Sequence, residues 1–550
     1  MARLGAILAT AVLLRVLYVT SVWHTPFFTH LQTNAERYAA WAGAILDGHA
    51  PLPPFEQAPG YPYFVAAIFA VAGRSLGPVA LVQALLDAVT CALIGGLAAH
   101  LFGRRAGLIA GLIAAAYGPL IYFSGELLPA TLFVALAMAA VFAAVVGRRG
   151  RSTWAVAGCF WSLALAVRSE AILGVPLVFV DAWYRGGWRA VWRVGLPLAV
   201  TLIGFAALSV AASGRVTVLN TSGGLNLWLG NHPLADGVSP FVSGPAATVA
   251  DGIRAQVSGD AHEADRRFRG LVYAFWHSQP QAAIALLWKK FVWTWTDREL
   301  PNTSDIAWQT AQSWLFRYPE FPLSLGMILP CAALGGVWLA GRWRDALPLT
   351  PLLVIGVGAC VIFFTNARFR LIMAPGLIAL AGAGLDQLTD LRRVRSQSLA
   401  RLTAAGVAVG ATLLLAWGNF YDLRSYQIPE IAVNTGILER EAGEFAAAVR
   451  HLRAGLVANP HNAIAWVHLA LAAEQGGDVH AALRAYLEGL AEVADDPTLV
   501  QLVGRFALRH QLDPGLFDRY LQTTDPTARE GIATALQRVL PPTNDNRGPR

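Results

Sequence analysis

Acidic and basic side chains stand out in this sequence because most of their neighbours are apolar. An arginine guanidinium can donate two parallel hydrogen bonds to a phosphate group, and a lysine adds a compact positive charge. Carboxylates in the same site could take up a proton or hold a metal ion. Together these residue types suit a reaction on an anionic substrate. The candidates are Glu36, Glu56, Glu126, Arg168, Lys289, Arg368 and Arg370.

Each basic candidate also has an ordinary structural explanation. Arg168 could pair with Glu170, although an arginine inside an apolar run is a functional candidate by default. Lys289 could anchor a helix at the membrane surface or contact a phosphate. Arg368 and Arg370 could extend to lipid headgroups.

Two other polar features need an interpretation. The segment 218–237, "VLNTSGGLNLWLGNHPLADG", is rich in small polar residues, and its Asn226 and Asn231 are candidate substrate-binding donors. It lacks the spacing of a nucleotide-binding glycine motif, so a structural loop is its ordinary explanation. Asp87 lies inside an apolar run, and we expect Gln83, one turn away, to satisfy it.

The composition indicates a membrane protein. The chain has 550 residues, of which 55% are hydrophobic and only 14% charged, and its mean hydropathy is +0.47. Soluble domains carry about 25% charged residues. The net charge of +7 is explained by basic cytoplasmic loops, so no nucleic-acid partner is implied. The four cysteines lie in apolar runs without metal-binding spacing.

Hydropathy predicts 11 spans, within a range of 11 to 13, because a span needs about 20 apolar residues. Basic clusters at 104–105, 148–151, 188–193, 342–344 and 392–395 are predicted to be cytoplasmic. The loops 24–78 and 214–320, the turns 124–127 and 366–370, and everything after 420 then share the outer face. Short helices near 33–47, 61–73 and 281–295 are predicted to be interfacial. The spans are 4–23, 79–102, 106–123, 128–147, 153–168, 171–186, 194–213, 321–341, 345–365, 371–388 and 400–419.

The polar stretch after the first span, 30–48, reads as a short amphipathic helix. Tyr38, Trp41 and Ile45 share one face, and Asn34 lies one turn before Tyr38. Tyr38 is a candidate substrate-binding residue. A helix turns about 100° per residue, so Glu36 points to a different face.

The chain after residue 420 reads as a soluble helical repeat. Gly443 and Gly477 are 34 residues apart, as are Ala448 and Ala482. This period and the segment 465–490 resemble the tetratricopeptide repeat, which binds peptides or partner proteins. A generic helical hairpin is the alternative. The predicted division is a membrane domain at 1–420, repeats at 421–510, terminal helices at 511–540 and a disordered tail at 541–550.

Several motifs follow one another in a characteristic order: "NAERYAAWA", "FEQAPGYPYF", "LVQALLDA", "FSGELLPATL", "LAVRSEAILGVP", "GGLNLWLGNHPLADG" and "NARFRLIMAPGL". Their order resembles the family 39 glycosyltransferases of the GT-C fold. These include the protein O-mannosyltransferases and the lipid A aminoarabinose transferases, and the resemblance extends over about residues 1–510. The fold class it implies is an all-α polytopic membrane protein, in a bacterial form with C-terminal repeats.

The resemblance implies inverting transfer of a sugar from a polyprenyl-phosphate donor to a cell-envelope acceptor outside the bacterial inner membrane. Glu56 matches a first-loop acid, and Glu126 falls near a second acidic site. Arg168, Arg368 and Arg370 match basic positions of the cavity. The family's first-loop aspartate corresponds to Asn34, which cannot accept a proton.

Three explanations of Asn34 remain open. In the first, Glu36 takes over as the base. In the second, the acceptor is an already ionised phosphate. In the third, the chain is an impaired homologue that binds lipid or acts as a scaffold. A lipid-linked sugar transporter is a further alternative, for which polar groups at the bilayer midplane would be expected. A divalent metal ion is a candidate cofactor, although the sequence shows no tight ligand cluster. The expected partners are the donor lipid, membrane lipid, an acceptor and a protein bound by the repeats.

Overall fold

The computed structural model describes residues 2–146, 153–241, 244–301, 303, 305–317, 321–389, 394, 397–426, 428–493, 496–523 and 525–540. Within these ranges the chain is α-helical, and its only bridge-type pairing outside helices joins Tyr117 to Leu323. The predicted all-α class is confirmed. The predicted disordered tail at 541–550 lies outside the described residues.

The first part of the chain forms a helical bundle around a large apolar core of valine, leucine, alanine and aromatic side chains. Small residues let these helices approach closely, as at Gly107, where an added Cβ would lie 2.4 Å from Ala99 Cβ. The helices are Ala2–Val22, Pro26–Thr29, Thr33–Leu46, Gly60–Ala72, Leu76–Phe102, Arg104–Ala116, Gly118–Gly125, Ala130–Val146, Thr153–Val167 and Val175–Ser213.

The remaining helices belong to the long loop, the last apolar segments and the tail. The long-loop helices are Gly223–Leu229, Gly244–Val257, Ala261–Ser278, Pro280–Thr294 and Ile306–Ala311. The last apolar helices are Leu325–Trp338, Trp343–Ala346, Thr350–Ile362, Ala367–Arg370, Ala374–Leu388 and Leu399–Trp417. The tail helices are Pro429–Glu441, Phe445–Ala458, Ala463–Gln475, Val479–Glu492, Pro497–Arg509, Pro514–Gln522 and Pro526–Val539.

In the described part of the chain, six helical stretches are long and apolar enough to cross a membrane. Four shorter apolar helices accompany them: Gly60–Ala72, Ala130–Val146, Thr153–Val167 and Leu325–Trp338. The predicted segments 171–186 and 194–213 form one stretch that bends at Gly187, where φ is +66°. The total of 11 to 13 spans therefore stays a prediction. The six are Arg3–Val22, Leu76–Phe102, Ser169–Ser213, Ala340–Ile362, Ala367–Leu388 and Leu399–Asp422.

The two large loops and the start of the tail contact one another. Thr221 N donates to Phe55 O at 2.9 Å, which joins the long loop to the first loop. Gln32 Nε2 donates to Asn434 O at 3.0 Å, and Asn434 Nδ2 donates to Thr303 O at 2.6 Å. The segments predicted to share one membrane face are thus neighbours in space.

The tail has an apolar core of its own, formed by its paired helices. Gly443 and Gly477 end equivalent helices with φ of +80° and +88°, a conformation that glycine adopts without strain. Ala448 and Ala482, one period apart, are both fully buried. The 34-residue period therefore recurs in the packing, while membership of the tetratricopeptide class stays a prediction.

Candidate functional site

The first-loop helix, Thr33–Leu46, forms one wall of the site. Tyr38 is 6% exposed and its ring meets Tyr61 edge-on at 5.1 Å between centroids, which fixes the helix against Gly60–Ala72. Asn34, one turn earlier, accepts a hydrogen bond from Gln57 Nε2 at 3.2 Å. Both side chains therefore face the same way, as their spacing predicts.

These side chains line a cavity of about 800 Å³, which we call the main cavity. Its walls come from the first loop, the turn after Thr153–Val167, the long loop and the segment 363–369. Six of the predicted site residues meet here although they are far apart in the sequence. They are Asn34, Tyr38, Glu56, Arg168, Asn226 and Arg368.

Arg168 and Arg368 form a basic pair beside one aromatic ring. Their guanidinium carbons lie 5.1 Å and 5.4 Å from the centroid of Phe369. Arg168 is 6% exposed and pairs with Glu170, as the ordinary explanation predicts. However, Arg168 Nη1 and Arg368 Nε are buried and have no hydrogen-bond partner among the described residues. Because buried donors are costly to leave unpaired, this pair is suited to receive an anion.

Tyr38 lies close enough to the arginine pair to feel its charge. Burial raises the pKa of the Tyr38 phenol, and the positive charges of Arg368 and Arg168 act in the opposite direction. The phenol thus stays neutral and available as a hydrogen-bond donor in the cavity wall.

Glu56 lies at the more open side of the cavity. Its carboxylate is 62% exposed and accepts a hydrogen bond from Arg37 Nη1 at 2.9 Å. Neighbouring contacts hold the surrounding loops: Phe55 O accepts from Thr221, and Asn220 Nδ2 donates to Ser169 Oγ at 2.9 Å. The first loop, the long loop and the turn after Arg168 are therefore joined around the cavity.

Two of the predicted acids do not reach the main cavity. Glu36 lines a different cavity of about 850 Å³ on another side of the first-loop helix. Glu126 borders a small cavity of about 40 Å³, where Tyr122 donates a hydrogen bond to its carboxylate. Burial raises the pKa of Glu126 to about 7. Their assignment as catalytic residues does not fit this geometry, because neither faces the arginine pair.

Three of the predicted substrate-binding residues have structural contacts instead. Arg370 Nη2 pairs with Glu299 at 2.6 Å, and Nη1 donates to Thr296 O at 2.6 Å, so Arg370 holds the loop after Pro280–Thr294. Lys289 lies over the Trp293 ring at 4.3 Å. Asn231 is 1% exposed and donates to Leu227 O and Ile362 O, both at 2.7 Å. None of them lines the main cavity.

Sequence reasoning missed Arg15, which is fully buried and pairs with Asp87 at 2.7 Å. The expected partner of Asp87, Gln83, instead accepts from Tyr61 and donates to Glu126 O. An arginine inside the first span was the available signal.

Lys290, expected like Lys289 to anchor a helix at the membrane surface or to contact a phosphate, is buried. Its Nζ donates to Gly230 O at 3.0 Å, Asn231 Oδ1 at 3.2 Å and Phe363 O at 3.0 Å. Burial lowers the pKa of Lys290 to about 7. The lysine thereby ties the long loop to the end of Thr350–Ile362.

The predicted divalent cation would need a group of ligand side chains. In the described ranges, no three or more histidine, cysteine, aspartate or glutamate side chains are grouped so that they could hold a metal ion.

Several solved structures align with this chain, at low sequence identity and low TM-score. The archaeal oligosaccharyltransferase AglB from Archaeoglobus fulgidus, in complex with an inhibitory peptide and a dolichol-phosphate, aligns at 14% identity and a TM-score of 0.40. That alignment covers 81% of this chain and 59% of AglB, so this chain spans about three fifths of its relative. ArnT from Cupriavidus metallidurans, bound to undecaprenyl phosphate, aligns at 14% identity and a TM-score of 0.39 over 90% of this chain and 81% of ArnT. Scores of this size support no functional conclusion.

A search of curated protein sequences gives no match. A family model does match: residues 56–213 fit the dolichyl-phosphate-mannose-protein mannosyltransferase model. This range is less than half of the chain. It includes Glu56 and Arg168 and excludes Asn34 and Arg368. The part of the chain that carries Glu56 and Arg168 is therefore similar to the dolichyl-phosphate-mannose-protein mannosyltransferases.

Proposed function

We propose that this protein is an inverting GT-C glycosyltransferase that moves a sugar from a polyprenyl-phosphate donor to a cell-envelope acceptor. The observation that carries the proposal is the arginine pair, whose buried Arg168 Nη1 and Arg368 Nε lack partners beside the main cavity. The family-model match over 56–213 and the apolar helices around the cavity support a lipid-linked donor.

The arginine pair would act on the phosphate of the donor. When the bond between the sugar C1 and the phosphate oxygen breaks, the phosphate gains negative charge. Guanidinium groups fixed beside it stabilise that charge more in the transition state than in the ground state, which lowers the barrier. Phe369 holds both groups in place, so little reorganisation accompanies the reaction.

The cavity residues of the first loop and the long loop would face the acceptor. Asn34, Tyr38 and Glu56 come from the first loop, and Asn226 comes from the long loop. An acceptor oxygen placed between these residues and the sugar would attack C1 from the side opposite the phosphate, which inverts the anomeric centre.

The location and partners follow from the same proposal. The cavity, both large loops and the tail would lie on the outer side of a bacterial inner membrane, away from the basic clusters. The tail would bind a protein partner through tetratricopeptide-type repeats. A transporter is disfavoured, because Asp87, which lies inside an apolar helix, is held in an ion pair with Arg15.

The test is transfer by the purified full-length protein in lipid nanodiscs, supplied with labelled undecaprenyl-phosphate mannose and with membrane extract as acceptor. Each charge-assisted hydrogen bond contributes about 1.5–3 kcal/mol. Arg368→Ala is therefore expected to lower transfer about 10- to 150-fold. Arg368→Lys should recover part of the loss, because lysine restores the positive charge but not the two parallel N–H donors of a guanidinium group.

Arg484→Ala, an exposed tail arginine, is the matched control and should transfer at the wild-type rate. Equal transfer by Arg368→Ala and Arg484→Ala would refute the proposed role of the arginine pair. Donor binding without transfer to any acceptor would favour the impaired homologue.

A further inference from the structure

The helical stretch Val175–Ser213 folds back on itself at Gly187. Gly187 has φ of +66°, a conformation that glycine adopts without strain. Phe179 and Gly195 lie on opposite sides of this bend, and a Cβ added at Gly195 would lie 3.4 Å from the Phe179 ring. The two arms of the stretch therefore pack against each other near the bend. We call residues 181–193, which surround the bend, the hairpin tip.

The hairpin tip lies at the end of the bundle away from the main cavity. Leu173 and Val216, just beyond the two ends of the stretch, both line that cavity. The turn 339–349 lies at the same far end, because the helix after it, Thr350–Ile362, leads over about 20 Å to Phe363 in the cavity wall. The tip and this turn carry two of the basic clusters that the sequence predicts to be cytoplasmic.

Aromatic side chains are exposed at the hairpin tip and in the neighbouring turn. Tyr184 of the tip meets Trp343 of the turn with 6.1 Å between ring centroids. Trp188 and Trp192 meet edge-on at the same distance. Trp183, Trp188 and Trp192 are each more than 60% exposed. Because tryptophan and tyrosine collect where apolar lipid meets water, these side chains are suited to the headgroup layer of a membrane.

Three arginines accompany these rings. The guanidinium carbon of Arg344 lies 5.2 Å from the Tyr184 ring centroid and 5.7 Å from the Trp343 ring centroid. Arg189 and Arg193 follow the bend one helical turn apart, so they point to the same side of their arm. A guanidinium group can donate two parallel hydrogen bonds to a phosphate. The arginines therefore provide phosphate-binding groups beside the exposed aromatic rings.

The acidic residues of this region are used by other arginines. Residues 181–193 and 339–349 contain five arginines and two aspartates. Asp181 pairs with Arg185, and both side chains are only 6% exposed. Asp345 pairs with Arg342 Nη2 at 2.7 Å. Among the described residues, no carboxylate is paired with the three arginines beside the rings, so the surface has three uncompensated positive charges.

From these observations we propose that the hairpin tip and the turn 339–349 bind the phosphate headgroup of an anionic phospholipid, in the membrane leaflet away from the main cavity. The stretch Ser169–Ser213 is apolar enough to cross a membrane, and few of its side chains are buried by the protein. Lipid would therefore begin directly beside the tip. This inference goes beyond the proposed function and does not depend on it, because no sugar transfer is involved.

Binding of labelled lipids to the purified full-length protein in dodecyl maltoside tests this inference. The probes are phosphatidylglycerol and phosphatidylcholine with the same fluorescent acyl chain. An arginine at a lipid surface strengthens binding of an anionic lipid about fivefold. We therefore expect phosphatidylglycerol to bind about tenfold or more tightly than phosphatidylcholine. The triple variant Arg189→Gln, Arg193→Gln and Arg344→Gln should weaken phosphatidylglycerol binding about tenfold or more.

The matched control is the triple variant Arg453→Gln, Arg484→Gln and Arg505→Gln. It removes the same charge from exposed positions of the tail and should keep the wild-type affinity for phosphatidylglycerol. An equal loss in both triple variants would show a response to net charge alone and would overturn the inference. Unchanged binding in the tip variant would place the lipid elsewhere on the protein and would overturn it as well.

The wild-type protein gives a second measurement that needs no variant. Raising NaCl from about 50 to about 500 mM screens exposed charges and should weaken phosphatidylglycerol binding several-fold, with little effect on phosphatidylcholine. Inorganic phosphate at equal ionic strength should not displace the lipid, because it offers no apolar surface to the tryptophans. Displacement by phosphate, or phosphatidylglycerol binding that salt does not weaken, would contradict the assignment.

Discussion

The buried pair of Arg15 and Asp87 should show strong energetic coupling. Arg15 Nε and Nη2 reach Asp87 Oδ2, and its two terminal nitrogens also donate to Ala115 O at 2.5 Å and Ala114 O at 3.1 Å. The Ala115 carbonyl needs this donor, because the residue four positions on is Pro119, which has no N–H. Arg15 therefore pairs with one carboxylate oxygen of Asp87 and with the carbonyls at the end of a broken helix.

The expected magnitudes follow from what each substitution leaves behind. Arg15→Met strands a buried carboxylate and a carbonyl, so the free energy of unfolding should fall by about 3–5 kcal/mol. Asp87→Leu should cost less, because the arginine keeps its two carbonyl partners. The double variant removes both charges and leaves only the Ala115 carbonyl unpaired, at a cost of about 1–3 kcal/mol. At the middle of these two ranges, the coupling energy is about 2 kcal/mol plus the cost of Asp87→Leu.

Unfolding of the four proteins in detergent, titrated with sodium dodecyl sulfate, measures the cycle. Thr20→Val, on the same helix but exposed, is the control for a change in the first span. It should unfold at the same sodium dodecyl sulfate concentration as the wild type. If the effects of Arg15→Met and Asp87→Leu add up in the double variant, the two side chains are not coupled and the reasoning fails.

Two further outcomes test the surroundings of the cavity. In the folded protein the pKa of Glu126 is about 7, above its ordinary 4.5. The folded state therefore binds this proton more tightly than the unfolded chain does. The free energy of unfolding should fall as pH rises from about 4.5 to 7. Thermal unfolding of Glu126→Gln should therefore depend less on pH in this window; parallel curves for variant and wild type would contradict the shift. Gln32→Ala removes the hydrogen bond to Asn434 O and should speed amide exchange two- to tenfold in the first turn of Thr33–Leu46 and in Pro429–Glu441. The control is Gln397→Ala, because the described bond of Gln397 is to Arg401 on a separate helix. Equal amide exchange in both variants would show that the tail does not hold the first loop.

Local sequence patterns predicted the helices of the first loop well. The structure has Thr33–Leu46 and Gly60–Ala72 where hydropathy predicts 33–47 and 61–73. The spacing of Asn34 and Tyr38 placed both on one face, and the 100° rotation separated Glu36 from them. These inferences succeeded because they depend only on the helical period.

The partners of buried charges could not be predicted in this way. Arg370 and Arg368 are two residues apart and of the same type, yet one closes a loop onto Glu299 and the other faces the cavity. Lys290 donates to backbone oxygens of two distant segments, whereas its neighbour Lys289 lies over the Trp293 ring. Two neighbouring cations can thus have different partners. Which of them makes a structural contact depends on which distant segments pack beside it.

The sequence alone determined the all-α membrane class, the helical repeat and the residue types for binding an anion, because apolar periodicity and composition act locally along the chain. Only the tertiary structure decided which of those residues form one site. It joined Asn34, Glu56, Arg168 and Arg368 around a cavity and paired each carboxylate of its described wall. The physical reason is that charge pairing and desolvation are set by distances between segments that are far apart in sequence.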